Sequence, residues 1–206
     1  VSFSASSQVL NGGCIAFKPD GLTMYLVNSN NDNTFQYTLT TAFDISTASY
    51  ANKTYTHSET ATGYSAGDIV FKPDGTKYWL IAANTSTGDR IFQYSMSTAW
   101  DISTSSYDSV SFATGINIPN GLAFKPDGTR LFMSGYSGAT DKPIRQVDLS
   151  TAWDLSTATY NSVSFDTSPV LGQVSSTDFP TSLHLNSDGT KIVVSTKGSD
   201  KIYEYA

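Results

Sequence analysis

The segment Phe17-Lys18-Pro19-Asp20-Gly21 returns as Phe71 to Gly75 and again as Phe124 to Gly128, with a diverged fourth copy at Leu185-Asn186-Ser187-Asp188-Gly189. A second motif keeps step with it: Thr41 to Thr47, Thr98 to Thr104 and Thr151 to Thr157 all read Thr-Ala-aromatic-Asp-Ile/Leu-Ser-Thr. A third is Val-Ser-Phe, at Val1, Val110 and Val163. Motifs that recur in one order at offsets of 53 to 61 residues describe a repeat architecture, and the repeat unit decides the fold.

Each unit reads as four short strands. Strand A is apolar, as at Ile69-Val70-Phe71, and ends in Lys-Pro-Asp-Gly. Proline presets φ for the second position of a type I turn, and glycine takes the left-handed position that closes a hairpin. Strand B follows (Met24 to Val27, Tyr78 to Ile81, Leu131 to Met133, Ile192 to Val194), then strand C (Phe35 to Tyr37, Phe92 to Tyr94, Ile144 to Val147, Ile202 to Tyr205). The Ala-Trp-Asp-Ile segment reads as one capped helical turn, and Val-Ser-Phe marks strand D. Four-stranded meanders repeated four times predict an all-β, four-bladed β-propeller of antiparallel blades. The chain ends on a strand C and begins on a strand D, so the expectation is a complete ring in which the N-terminal strand closes the last blade. The rival is four repeats of a larger ring. The expected blades within a single domain, 1–206, are approximately 8–56, 57–113, 114–166, and 167–206 completed by 1–7.

Composition narrows the function classes. The net charge is −6, with 12 Lys+Arg scattered singly, which disfavours nucleic acid as a partner. No apolar run approaches the ~20 residues of a membrane span, so no membrane insertion is expected. The single cysteine, Cys14, excludes an internal disulfide and a multi-cysteine zinc site. The 30 Ser and 26 Thr, with many Tyr and Phe, suit exposed β-structure.

The Phe-Lys-Pro-Asp-Gly-Thr-Lys-x-Tyr pattern of Phe71 to Tyr78 resembles the A–B hairpin of the YVTN and lactonase-like propeller families. The longer unit, with its Ser-Thr-Ala-Trp-Asp-Ile-Ser-Thr segment, is similar to repeats of marine bacterial surface proteins and phage tail-fibre-like proteins. The resemblance covers essentially the whole chain. It implies a propeller placed outside the cell, on a cell surface or on a virion.

Residues that recur in every blade serve the scaffold. Phe43, Trp100 and Trp153 read as packing residues, and Asp20, Asp74, Asp127, Asp188, Asp44, Asp101 and Asp154 as turn caps. No Gly-x-Ser-x-Gly elbow or metal-binding histidine pair is present. His57 reads as structural. His184 stands where the other blades have Ala16, Val70 and Ala123, so it is the odd residue of an inner strand and faces the central channel. A four-bladed ring predicts a narrow channel, wide enough for an ion or water, with no resident cofactor.

The informative residues break the repeat. The B–C and D–A loops share one end of the ring and differ between blades, which is where function on a repeated scaffold usually lives. That surface carries Asn30, Asn31, Asp32, Tyr64, Asp68, Arg90, Tyr136, Asp141, Lys142, Asp178, Phe179 and Lys197. The blade 3–4 side is the favoured site, because Asp178 and Phe179 end the longest D–A loop beside Tyr136, Asp141 and Lys142. The main expectation is therefore a non-catalytic binding module whose partner is a glycan or another cell-surface or protein ligand. The alternatives are a lactonase-like or polysaccharide-lyase-like enzyme at the channel mouth, and a structural assembly unit. The repeat specifies no oligomeric state.

Overall fold

A computed structural model describes residues 2–9, 12–28, 33–58, 64–84, 88–137, 141–167, 179–198 and 201–206. The chain is an all-β, four-bladed propeller. Blade 1 comprises β1 (Gly12–Phe17), β2 (Thr23–Asn28), β3 (Asn33–Leu39) and β4 (Ala48–Thr56). Blade 2 comprises β5 (Tyr64–Phe71), β6 (Lys77–Asn84), β7 (Arg90–Met96) and β8 (Ser105–Ala113). Blade 3 comprises β9 (Ile118–Phe124), β10 (Arg130–Tyr136), β11 (Pro143–Leu149) and β12 (Ala158–Asp166). Blade 4 comprises β13 (Phe179–Leu185), β14 (Ile192–Lys197) and β15 (Ile202–Tyr205). Each sheet is an antiparallel meander in sequence order, and its first strand lies innermost.

The Lys-Pro-Asp-Gly hairpin forms as its residues dictate. Gly75 N–H donates to Lys72 O (2.8 Å), Lys72 N–H to Lys77 O (2.9 Å), and Asp74 Oδ1 accepts from Thr76 N–H (2.9 Å). Gly75 sits at φ +72°, where a side chain is disfavoured. The Ala-Trp-Asp-Ile segments become 3-10 turns at Ile45–Thr47, Ile102–Thr104 and Leu155–Thr157. Each is capped by the preceding Asp, whose side chain accepts from the serine N–H two residues on.

The aromatic before each capping Asp holds an unusual backbone. Phe43, Trp100 and Trp153 lie at φ +59°, +64° and +64°. Bulky residues seldom enter that region, and they stay there only where surrounding contacts over-determine it. Here each aromatic N–H donates to the carbonyl of its own hairpin glycine (2.9 to 3.0 Å). Each ring lies on that glycine, so a Cβ built at Gly21, Gly75 or Gly128 would stand 2.2 to 2.5 Å from ring atoms.

The blades pack through their inner strands, β1 on β5, β5 on β9 and β9 on β13. Among the described residues, β1 and β13 share no comparable interface. The N-terminal segment corrects the expectation that it closes blade 4. Ser2–Val9 contains no strand, and Phe3 packs edge-on against Tyr37 of blade 1, with ring centroids 5.4 Å apart. The reason is local: Gln8 N–H and Val9 N–H both donate to Ala5 O, which turns the chain (2.9 and 2.8 Å). Phe3 and Ala5 then cover the Met24, Tyr37 and Leu39 face of blade 1.

Candidate functional site

The four inner strands meet in register around the axis. Ile15, Ile69, Leu122 and Leu183 form one tier, and Ala16, Val70, Ala123 and His184 the next. A third tier holds Cys14, Asp68, Gly121 and Ser182. Two of these positions break the apolar pattern with titratable groups, Asp68 and His184. They line one cavity of about 860 Å³ with Ile15, Leu122, Leu183 and Trp100. They also line a second cavity, about 340 Å³, between β1 and β13, with Cys14 and Ser182. A channel passing only an ion or water was expected. The larger cavity falls within the usual range for small-molecule sites and corrects that reading. The missing β1–β13 interface is the physical reason, since the two strands stand apart across this space.

Asp68 is the chemically distinctive group. Its Oδ1 accepts from Ile69 N–H (2.9 Å), and its Oδ2 reaches the next blade to accept from Leu122 N–H (3.1 Å). Burial among apolar strands nevertheless dominates and pushes its carboxyl up to about 7. The same burial, with the Asp68 charge adding to it, raises the Cys14 thiol well above its ordinary value. Cys14 is therefore a protonated thiol at neutral pH and a poor nucleophile. His184 is exposed to the cavity. Among the described residues, no three His, Cys, Asp or Glu side chains converge to hold a metal. His57 is a core residue, buried among Tyr55, Tyr78 and Tyr94 with Nε2 2.9 Å from Thr34 Oγ1.

The loop-face residues are only partly brought together. Tyr136 and Phe179 are in ring contact (5.4 Å), and Lys197 Nζ lies 5.8 Å from the Phe179 centroid. Lys142, expected on the surface, is fully buried, and its carbonyl accepts from Thr167 Oγ1 (2.6 Å). That burial removes it from any solvent-facing site. Asp141 is half-buried, and its carbonyl accepts from Ser137 N–H (2.8 Å). Arg90 turns along its sheet to donate from Nε to Ser111 Oγ (2.9 Å), away from the blade 3–4 cluster. Asn30, Asn31, Asp32 and Asp178 lie outside the described residues, as does the Tyr64 side chain. Asp68 belongs to the channel tier and not to the loop face. The signal that marks it is the same one that marks His184: a polar residue at an inner-strand position whose repeat partners are small or apolar.

No protein-family model matches the chain, and no curated protein sequence does. Solved structures do match in fold. One is a protein from Lactobacillus plantarum, with TM-score 0.63 and 18% identity over 95% of this chain and 53% of that one. Another is the periplasmic gluconolactonase of Pseudomonas aeruginosa (TM-score 0.59, 14% identity, 93% and 52% coverage). A third is a proposed 6-phosphogluconolactonase from Bacteroides fragilis (TM-score 0.59, 14% identity, 94% and 49% coverage). The chain thus spans about half the length of these structures. The lactonase-like part of the sequence resemblance holds at the level of the fold. The expectation of a non-catalytic binding module is corrected: the neighbours whose names carry an activity are lactonases. The unusual carboxylate also lies in the channel and not on the loop face.

Proposed function

We propose that this chain hydrolyses small sugar lactones in its channel, with Asp68 as general base and His184 as proton donor. The observation that carries the reading is one buried carboxylate, poised near pH 7, on the same cavity as a histidine. A base with that affinity abstracts a proton efficiently at neutral pH. In the step proposed, Asp68 takes a proton from water as the water oxygen attacks the lactone carbonyl carbon. The ring C–O bond then breaks, His184 protonates the departing oxygen, and a hydroxy acid leaves. The fold neighbours named for lactonase activity support the class of reaction.

The lining also speaks to the substrate. Its charged group is Asp68, and neither cavity is lined by a described Lys or Arg. With a net charge of −6, the protein offers little to a phosphorylated lactone, so a neutral aldonolactone is the favoured substrate. Trp100 lines the larger cavity and offers a ring face against which a sugar can stack. An extracytoplasmic setting, like that in the name of the Pseudomonas protein, fits the Ser/Thr-rich, weakly charged surface.

The test is turnover of glucono-δ-lactone against its 6-phosphate, with background hydrolysis subtracted. The parent is expected to favour the neutral lactone, with a rate that rises with pH through about 7. Asp68→Asn is expected to lose at least about 100-fold. Turnover undiminished in Asp68→Asn would overturn the assignment.

A further inference from the structure

The inner strands give the larger cavity a length. Pro19, Pro73 and Pro126, the prolines of the first three hairpins, all line it. Asp68 lines it too, five residues before Pro73 in the same strand and turn. At about 3.3 Å per extended residue, the cavity runs roughly 15 Å from the Asp68 tier to the hairpin end. His184 lies two tiers from Asp68 on the way there. A single sugar ring held between Asp68 and His184 therefore leaves the hairpin half of the 860 Å³ unfilled.

Two residues break the repeat in that half. Trp100 is on the cavity wall, whereas its counterparts Phe43 and Trp153 are not among the lining residues. Ser187 stands on the wall where the other three hairpins have proline. The blade 4 hairpin otherwise closes as they do. Gly189 N–H donates to Asn186 O (3.0 Å) and Asn186 N–H to Lys191 O (3.1 Å), as Gly75 and Lys72 do in blade 2. Ser187 is exposed, and its hydroxyl has no hydrogen-bond partner among the described residues. At the opposite end of the channel, the Thr181 and Ser182 hydroxyls are engaged by Ser195 Oγ (2.9 and 2.8 Å). Ser187 thus repeats the pattern of His184, three residues earlier in the same hairpin: a polar group where the repeat has an apolar one, facing the same cavity.

We propose that the hairpin half of the cavity is a subsite for a second sugar, so that the substrate is an aldonolactone carrying a glycosyl group on O4. Carbon 4 lies across the six-membered ring from the carbonyl carbon. A lactone with its carbonyl at Asp68 therefore directs that substituent away from the carboxylate and toward the hairpins. There the Ser187 hydroxyl meets a sugar hydroxyl, and the Trp100 indole gives the sugar C–H face an apolar surface. A mostly apolar wall with one or two placed polar groups is the usual composition of a site that fixes a ligand's orientation. This deepens the proposed lactone hydrolysis and rests on it for the direction in which the substrate lies.

The test compares cellobiono-δ-lactone with glucono-δ-lactone, and the corresponding non-hydrolysable lactams, on the intact 206-residue chain. The disaccharide lactone should have the higher kcat/KM, by about tenfold, and calorimetry should show the same preference between the lactams. Ser187→Pro installs the residue of the other three hairpins, so its melting temperature should hold or rise. Its preference for the disaccharide should fall roughly three- to tenfold in turnover and in lactam binding, the effect of one hydrogen bond. Ser187→Ala should lower the preference equally without fixing φ. An undiminished preference in both variants would overturn the proposal, as would a parent chain that binds the two lactams equally. The lactams keep the two readings apart. Lactone turnover with no disaccharide preference overturns the subsite and leaves the reaction standing. A Ser187-dependent lactam preference with no turnover supports the subsite and overturns the reaction.

Discussion

Trp153 of blade 3 packs its indole against Trp79 of blade 2, centroids 5.7 Å apart, from a backbone held at φ +64°. The glycine beneath it makes both features feasible. Gly128→Ala places a methyl 2.2 Å from the indole and strains φ +73°, so about 2–4 kcal/mol of stability should be lost. Gly189→Ala carries nearly the same backbone strain at φ +70°, with its nearest contact at 3.0 Å to Pro126. It should cost about 1 kcal/mol. Urea midpoints of the two variants separate the aromatic seat from the turn.

The glutamines on strand C can be ranked the same way. Gln93 accepts from Leu155 N–H (2.8 Å) and Trp79 Nε1 (3.2 Å) in a buried setting. Gln93→Ala strands those donors, at a cost of about 2–3 kcal/mol. Gln146→Ala, at a half-buried position, should cost about 1 kcal/mol or less. Equal losses for the two would show that the junction hydrogen bond is not what distinguishes them.

Asp68 gives stability a defined pH dependence. Its folded carboxyl is raised to about 7, above the ordinary carboxylate value, so between about 4 and 7 the folded state binds more protons than the unfolded. Stability from this group therefore falls as pH rises through that window and is level above it. Asp68→Asn should melt higher than the parent at pH 8, with the gain vanishing near pH 4. Thermal scans at the two pH values check the sign, and the same variant should be the inactive one.

The N-terminal segment contributes to blade 1. Phe3→Ala removes a half-buried ring from the Tyr37 face and should cost about 1–2 kcal/mol. Hydrogen exchange should quicken in β2 and β3 and stay unchanged in β14 and β15. The opposite pattern would restore the last-blade closure.

The blades were legible because hairpin chemistry is local. Pro73, Asp74 and Gly75 specify their turn without help from distant residues, and the repetition of that turn sets the period. Val1-Ser2-Phe3 misled for the converse reason: a three-residue match says nothing about partners, and the Ala5–Val9 turn directs the segment to the nearer blade. Lys142 reads as surface because it follows a polar stretch, yet the fold buries it fully while its carbonyl accepts from Thr167 Oγ1. Asp68 was visible as a residue but not as a site. Its setting depends on Leu122, 54 positions on, whose N–H holds its second oxygen.

Among the described residues, each blade junction is an inner strand packed on the next, and one of them also carries the candidate site. Asp68 Oδ2 accepts from Leu122 N–H across the β5–β9 junction (3.1 Å). In repeat assemblies, stability is a sum of unit and junction contributions, so this hydrogen bond belongs to the junction sum as well as to the site. The cavity and the seam between blades 2 and 3 should therefore loosen together, and a substitution that opens either should quicken amide exchange at the other.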